Sequence, residues 1–99
     1  MVTNKLRPIH PGEILKEEYL VPLGMSANAL AIALHVPATR INDIVRGKRA
    51  VTSDTALRLA RYFGGDAQSW MNLQIAYDLK LAETAAGETI KRNVRPRAA

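Results

Sequence analysis

The stretch ANALAIALHVPATRINDIVR, residues 27–46, decides the fold. Apolar residues recur at helical spacing on both sides of its centre, which predicts one helix over 27–34 and a second over 38–46. The three residues between them, 35–37, leave room only for a tight turn. We therefore predict a helix-turn-helix, in which the small side chain of Ala31 lets the two helices cross closely. The residues that hold these helices to a core are Leu30, Ala31, Leu34, Ile41, Ile44 and Val45.

The polar residues of the second helix form its outer edge, which consists of Thr39, Arg40, Asn42, Asp43 and Arg46. A helix of this diameter fits the major groove of DNA, where its N-terminal half normally reaches the base edges. Arg40 can pair with guanine, and Asn42 can pair with adenine. Thr39 can contact a base or a phosphate, whereas Asp43 can accept from cytosine or hold Arg40 or Arg46 in position. The alternative interpretation is an ordinary solvated helix face.

A basic turn follows this helix. Gly47 lies where a left-handed C-terminal cap belongs, and Lys48 and Arg49 are then placed to flank the groove and meet phosphates. Thr52 and the first amides of the next helix offer another phosphate site. We also count Ser26, the natural N-cap of the first helix of the motif, among the candidate DNA-binding residues. A charged surface turn without a ligand is the alternative.

A further helix precedes the motif. It begins at Pro11, a residue suited to the first turn, and His10 is expected to cap it. Its apolar residues have helical spacing up to residues 19–20. Pro22 and Gly24 are expected to end the helix there.

Two more helices follow the motif. The fourth has Thr52 as its predicted N-cap and stops at the glycine pair 64–65, and the fifth has Asp66 as its predicted N-cap. The predicted apolar stripes are Ala56, Leu57, Ala60 and Phe63 in the fourth helix, and Trp70, Leu73, Ala76, Tyr77 and Leu81 in the fifth. No segment has the alternation of a strand. The fold class is therefore all-α with five helices, divided into a DNA-binding domain over 1–85 and a flexible basic tail over 86–99.

Charge favours a nucleic-acid partner. The chain has 99 residues, which suits one domain, with a net charge of +5 and a pI of about 10.0. Residues 40–61 carry six Lys or Arg against two Asp or Glu, whereas residues 1–39 carry three of each sign. The positive excess is thus concentrated at the candidate reading helix and beyond it, which is typical of DNA-binding proteins.

Composition and spacing argue against several other classes. The chain has no cysteine, and its two histidines, His10 and His35, lie on different elements, so we expect no metal and no cofactor. No nucleophile, glycine-rich phosphate cradle or acid–base constellation appears, so we expect no enzyme. The sequence lacks an apolar run of about 18 residues and an N-terminal signal, which predicts a cytoplasmic protein without a membrane partner.

Several motifs carry a family resemblance that extends in register over residues 7–81. The motifs are HPGEIL (10–15), INDI (41–44), RGKR (46–49), TALRLA (55–60) and WMNLQ (70–74). They resemble those of HigA-type antitoxins, within the Xre or Cro/C1-type (lambda repressor-like) helix-turn-helix family of five helices. The resemblance implies a homodimer that represses its own operon and neutralises a RelE-like ribosome-dependent ribonuclease. The chain departs from the family at His35, where glycine is common, and at Pro37 and Ala38, where related repressors often place polar residues on DNA.

Partner predictions follow from this resemblance and from the apolar residues of the fifth helix. Trp70, Leu73 and Tyr77 are the candidate dimer interface, although Trp70 also suits the core. The expected partners are double-stranded operator DNA with an inverted repeat, a second copy of the chain, and a RelE-like toxin. Two alternatives stay open. One is a stand-alone Xre-family repressor without a toxin, and the other is an adaptor whose basic face binds an acidic protein.

Overall fold

The computed structural model describes residues 7–98, in which all regular secondary structure is helical. Five helices follow one another, which confirms the predicted all-α, five-helix architecture. Helix α1 covers residues 11–23 and joins three segments, and the others are α2 (Ala27–Leu34), α3 (Ala38–Val45), α4 (Ser53–Phe63) and α5 (Ala67–Asn93). Within the described residues no helix combines the length and apolarity that crossing a membrane requires.

The helix-turn-helix forms where local chemistry predicts it. The Ser26 hydroxyl accepts from the backbone N–H of Ala29 at 3.0 Å, so Ser26 is the N-cap of α2. His35 ends that helix with a φ of +60°, a left-handed conformation that histidine tolerates better than β-branched residues do. Gly47 has a φ of +75° just after α3, as expected for a residue without a Cβ. The predicted N-cap at Ser26 and the predicted left-handed cap at Gly47 are confirmed.

Helix α1 does not end before Pro22 as the sequence predicts. Its three segments are Pro11–Ile14, a π-helical turn at Leu15–Leu20, and Val21–Leu23. The N–H of Val21 donates to the carbonyl of Lys16, five residues back. A proline normally breaks a helix because it lacks an N–H and its ring meets the carbonyl four residues earlier. The wider π-helical turn changes the hydrogen-bond register from four residues to five just before Pro22, so the helix continues past the proline.

The buried face of helix α4 differs slightly from the apolar stripe that the sequence predicts for it. Leu57 is 63% exposed, whereas Thr55, Ala56 and Leu59 are buried. Each residue is rotated by about 100° from the one before it, so Leu57 falls outside the face that Ala56 and Leu59 share. Thr52 is the N-cap by position, but its hydroxyl caps no backbone amide and lies 3.5 Å from the Thr55 hydroxyl. The predicted stripe is therefore wrong at Leu57, and the predicted cap lacks its hydrogen bond.

The core lies between α1 and the four helices that follow it. Its buried apolar residues are Leu15, Leu20, Leu30, Ala31, Leu34, Ile41, Ile44, Val51, Ala56, Leu59 and Trp70. Val45, a predicted core residue, is only partly buried against them. The buried amide oxygen of Gln74 accepts from the backbone N–H of Val51 at 2.8 Å, which fastens the loop after α3 to α5.

Helix α5 is longer than the sequence predicts. It continues through Gly87 to Asn93, although residues 86–99 are predicted to be a flexible tail. One glycine costs a helix about 1 kcal/mol, which its alanine- and lysine-containing neighbours offset. Lys91 and Arg92 lie in the last turn, where cations favour the helix dipole. The division of the chain at residues 85 and 86 stays a prediction.

The start of α1 packs directly on the end of α3. A Cβ built on Gly12 would overlap the carbonyl oxygen of Ile44 and approach its carbonyl carbon to 2.6 Å. The ring of His10 caps α1, as predicted, because its Nδ1 accepts from the N–H of Gly12 at 2.8 Å. That ring also meets Tyr77 edge-on, with ring centroids 4.8 Å apart. Burial lowers the pKa of His10, against a weaker opposing hydrogen bond with the backbone of Arg49.

Candidate nucleic-acid interface

Helix α3 is attached to the core by one face and presents the opposite edge outward. Ile41 and Ile44 are fully buried. Thr39 and Arg46 are exposed, and the residues between them on the outer edge are half-buried. The amphipathic arrangement predicted for this helix is therefore confirmed. A polar helix edge that faces away from the core has the shape needed to enter a major groove.

Arg40 does not project freely from this edge. Its Nη1 donates to Oδ2 of Asp54 at 2.8 Å, and Nε of Arg58 donates to the same oxygen at 2.9 Å. These hydrogen bonds hold the pKa of the Asp54 carboxyl below its usual range, with the bond from Arg58 the larger cause. Arg58 in turn donates from Nη1 to the carbonyl of Leu34 at 2.8 Å. The arginine predicted to read guanine is thus tied to α4.

Asn42 is also engaged within the protein. Its Nδ2 donates to Oδ1 of Asn28 on α2 at 2.8 Å and to the carbonyl of Ala38 at 2.9 Å. Both hydrogens of the amide group therefore have protein acceptors, while the predicted adenine contact needs one of them. Such a contact requires the Asn42 side chain to exchange its partner for a base.

Asp43 pairs with a residue that the sequence did not indicate. Its Oδ2 lies 3.6 Å from Nη2 of Arg49, whereas Arg40 and Arg46 were the predicted partners. The backbone N–H of Lys48 donates to the carbonyl of Asp43 at 2.8 Å, which folds the basic turn back onto α3. Lys48 and Arg49 therefore stay exposed beside the outer edge of the helix.

A cleft at the N-terminus of α4 brings several predicted DNA contacts together. Arg40, Arg49 and Thr52 line it, with Asp54 among the other lining residues. The unpaired amides at a helix start attract anions, and two guanidinium groups beside them strengthen that attraction. The cleft has the donors that a backbone phosphate requires, and Asp54 is the one acidic group in its lining.

The remaining predicted site residues divide into exposed and buried ones. Ser26, Pro37 and Ala38 are exposed. Trp70 is only 5% exposed and packs against Tyr19, with ring centroids 5.4 Å apart. Its large ring is already covered within one chain, so Trp70 belongs to the core and not to a dimer surface.

The other two candidate dimer residues remain accessible in part. Leu73 is 37% exposed and Tyr77 is half-buried beside His10. Both line a shallow groove together with Ile9 and Ile14. The lining of the groove is mostly apolar. No three His, Cys, Asp or Glu side chains among residues 7–98 come close enough to share a metal ion.

Three residues that shape this interface were not predicted from the sequence, namely Asn28, Asp54 and Arg58. The spacing of Asp54 and Arg58, four apart on one helix, was a usable signal for their pairing. The contacts of Asn28 with Asn42 and of Asp54 with Arg40 each join residues 14 apart on different helices. Such pairs leave no periodic trace in a single sequence.

Comparisons with known proteins identify the family. The helix-turn-helix family matches residues 15–70. Virulence-associated protein I of Dichelobacter nodosus is 70% identical over 80 residues, which cover 81% of this chain and 74% of that protein. Antitoxin HigA-1 of Vibrio cholerae is 37% identical over 79 residues, covering 80% of this chain and 74% of that one. The structure of Pseudomonas aeruginosa antitoxin HigA with the higBA promoter has a TM-score of 0.90 at 50% identity, covering 93% of this chain and all of that chain.

The matched segment includes α2 and α3 entirely, so the family match rests on the helix-turn-helix itself. The similar proteins include helix-turn-helix regulators and antitoxins, which confirms that the chain is not an enzyme. The structural match extends far beyond that segment and includes most of α5. The chain belongs to the Xre-type helix-turn-helix family and, within it, to the HigA-type antitoxins.

Proposed function

We propose that this protein is the antitoxin of a toxin–antitoxin pair, acting in the cytoplasm, and that as a homodimer it represses its own promoter. The observation that carries the proposal is the outward polar edge of α3, anchored by Ile41 and Ile44 and flanked by the exposed Lys48 and Arg49. A similar protein, P. aeruginosa HigA, has been solved with the higBA promoter, which supports the same kind of target here.

Recognition would combine base contacts and phosphate contacts. Thr39, Arg40, Asn42 and Asp43 face the major groove as candidate base readers, and Pro37 and Ala38 lie at its entrance. Contacts with phosphates come from three positions: the basic turn, the N-terminus of α4 and the N-terminus of α2. Their residues are Arg46, Lys48, Arg49, Thr52 and Ser26. Phosphate contacts fix the register on the duplex, while the base contacts choose the sequence.

The direct test is a binding titration against the DNA upstream of the protein's own reading frame. We expect binding to an inverted repeat whose half-sites are about 34 Å apart, one turn of DNA, with random DNA of equal length bound at least 1,000-fold more weakly. Equal affinity for the two DNAs would reject the repressor function. It would instead favour an adaptor that binds an acidic protein.

Lys48→Ala should weaken binding to the operator and to random DNA by the same factor, because a phosphate contact carries no sequence preference. The slope of log affinity against log salt concentration should become shallower by about 0.9, the value for one phosphate contact in duplex DNA. Titrations at several salt concentrations measure it. Arg61→Ala on α4, an exposed cation outside the predicted phosphate contacts, is the control, and its slope should stay close to that of the wild type. An unchanged slope for Lys48→Ala would remove this residue from the phosphate contacts.

Dimerisation is proposed to use the groove between α1 and α5, where Leu73 and Tyr77 adjoin the exposed Ile9. Leu73→Glu places a charge in that apolar patch and should raise the dimer dissociation constant at least about tenfold. Sedimentation analysis of the full chain measures this. Leu57→Glu, the same change at an exposed leucine on α4, is the control and should leave the dimer intact. Equal behaviour of the two variants would place the dimer contact elsewhere.

The toxin partner is tested in cells. Co-expression with the gene adjacent to this one should restore growth that the neighbour alone arrests, and the two products should co-purify. We propose that the neighbour is a RelE-like ribonuclease that cleaves mRNA on the ribosome, as the family resemblance implies. A neighbour that neither arrests growth nor binds this chain would leave a stand-alone repressor.

A further inference from the structure

We propose that Asp54 is a positioning residue for DNA recognition, which holds the guanidinium of Arg40 in the orientation that reads a base and is itself fixed by Arg58. This inference rests on the proposed function, because it requires Arg40 to meet DNA. It adds a residue that carries the opposite charge to the one expected at a DNA-binding surface.

A continuous set of hydrogen bonds carries the proposal. Oδ2 of Asp54 accepts both from Nη1 of Arg40 at 2.8 Å and from Nε of Arg58 at 2.9 Å. Nη1 of Arg58 donates to the carbonyl of Leu34 at 2.8 Å. The side chain on the reading helix is thereby connected through α4 to the end of α2, both of which belong to the packed body. Arg40 is attached to the scaffold at its tip as well as at its backbone.

The geometry leaves Arg40 a free edge for recognition. A guanidinium has five N–H donors in a fixed plane, and the bond to Asp54 uses Nη1. The edge formed by Nε and Nη2 can also make a two-point contact with guanine or a phosphate. An arginine whose rotamer is fixed before binding loses less conformational entropy when DNA arrives.

The negative charge of Asp54 also weakens binding to DNA in general, which gives the proposal a distinctive experimental signature. The two arginines lower the pKa of its carboxyl, so it is ionised at neutral pH and repels nearby phosphates. A purely structural ion pair would affect stability and leave the choice of sequence alone. A positioning residue instead gains discrimination between sequences at the expense of general affinity for DNA. Replacing Asp54 with a neutral residue should therefore lower the preference for the operator and raise the affinity for random DNA.

The test measures affinity of the full-length protein for its upstream inverted repeat and for random DNA at one salt concentration. For Asp54→Asn we expect the preference for the operator to fall roughly tenfold, the scale of one base contact, while affinity for random DNA rises. Asp54→Glu keeps the charge and should recover part of the preference. Glu83→Gln, an equal charge change on α5, should leave the preference unchanged. Far-UV circular dichroism confirms that each variant is folded.

A second step separates positioning from an independent effect of Asp54. In an Arg40→Ala background, adding Asp54→Asn should reduce the operator preference no further, because the side chain to be positioned is gone. The proposal is overturned if Asp54→Asn keeps the wild-type preference, or if it lowers the preference equally in both backgrounds. A wild-type protein without any operator preference gives a different pattern. That result rejects the proposed function itself, and the positioning role with it.

Discussion

Gly12→Ala should destabilise the protein by about 3 kcal/mol, the upper part of the range for overpacking a rigid site. A methyl group at this position would overlap the backbone carbonyl of Ile44, which cannot rotate away as a side chain can. Either α1 or the end of α3 has to shift. Because Ile44 anchors the reading helix, we also expect weaker operator binding from whatever fraction remains folded. Urea unfolding followed by circular dichroism measures the change in free energy.

The same substitution elsewhere in the chain provides the control. Gly87 lies inside α5, and a Cβ there would meet nothing within 4 Å. Gly87→Ala should therefore stabilise the protein by about 0.5–1 kcal/mol, because alanine is the better helix former. Opposite signs for the two glycines are the expected result. A Gly12→Ala variant as stable as the wild type would show that α1 does not approach α3 as closely as the structure has it.

Arg40→Ala should cost operator binding about 1–3 kcal/mol and relax specificity at one base pair in each half-site, the effect expected for a bidentate base contact. The loss should exceed the loss for random DNA, because random sequences never satisfied that contact. Binding curves for the operator and for operators substituted at single positions measure both quantities. The position at which substitution no longer matters identifies the base that Arg40 reads.

Arg61→Ala is the matched control for this change. Arg61 is exposed near the C-terminal end of α4, away from the cleft at the N-terminus of that helix. Its removal subtracts the same charge, so both DNAs should be bound slightly and equally more weakly. If Arg40→Ala behaves like Arg61→Ala, Arg40 contributes only general positive charge, and base reading falls to the other residues on the edge of α3.

Local signals were sufficient to predict the helix-turn-helix. Ser26, His35 and Gly47 each act on the backbone within a few residues of themselves, and each does what its chemistry indicates. The apolar spacing of Ile41 and Ile44 also settles which edge of α3 is polar. These effects need no knowledge of the rest of the molecule.

What the sequence did not predict depends on contacts between helices. Trp70 suits a core or an interface equally well by type, and only its packing against Tyr19 decides for the core. The partners of Arg40 and Asn42 come from other helices, so the sequence predicted contacts with DNA for both side chains and did not predict the hydrogen bonds that engage them within the protein. Pro22 was expected to end α1 because a π-helical turn has no reliable sequence signal.

The central claim is that the outer edge of α3 enters the major groove, and nuclear magnetic resonance of the labelled full-length protein tests it most directly. On titration with the upstream inverted repeat, the largest chemical-shift changes should fall on residues 37–49 and on the first turn of α4, with the side-chain amide of Asn42 among them. If DNA binds to saturation but the signals of these residues stay in place and those of α5 shift instead, the claim that α3 enters the groove is wrong.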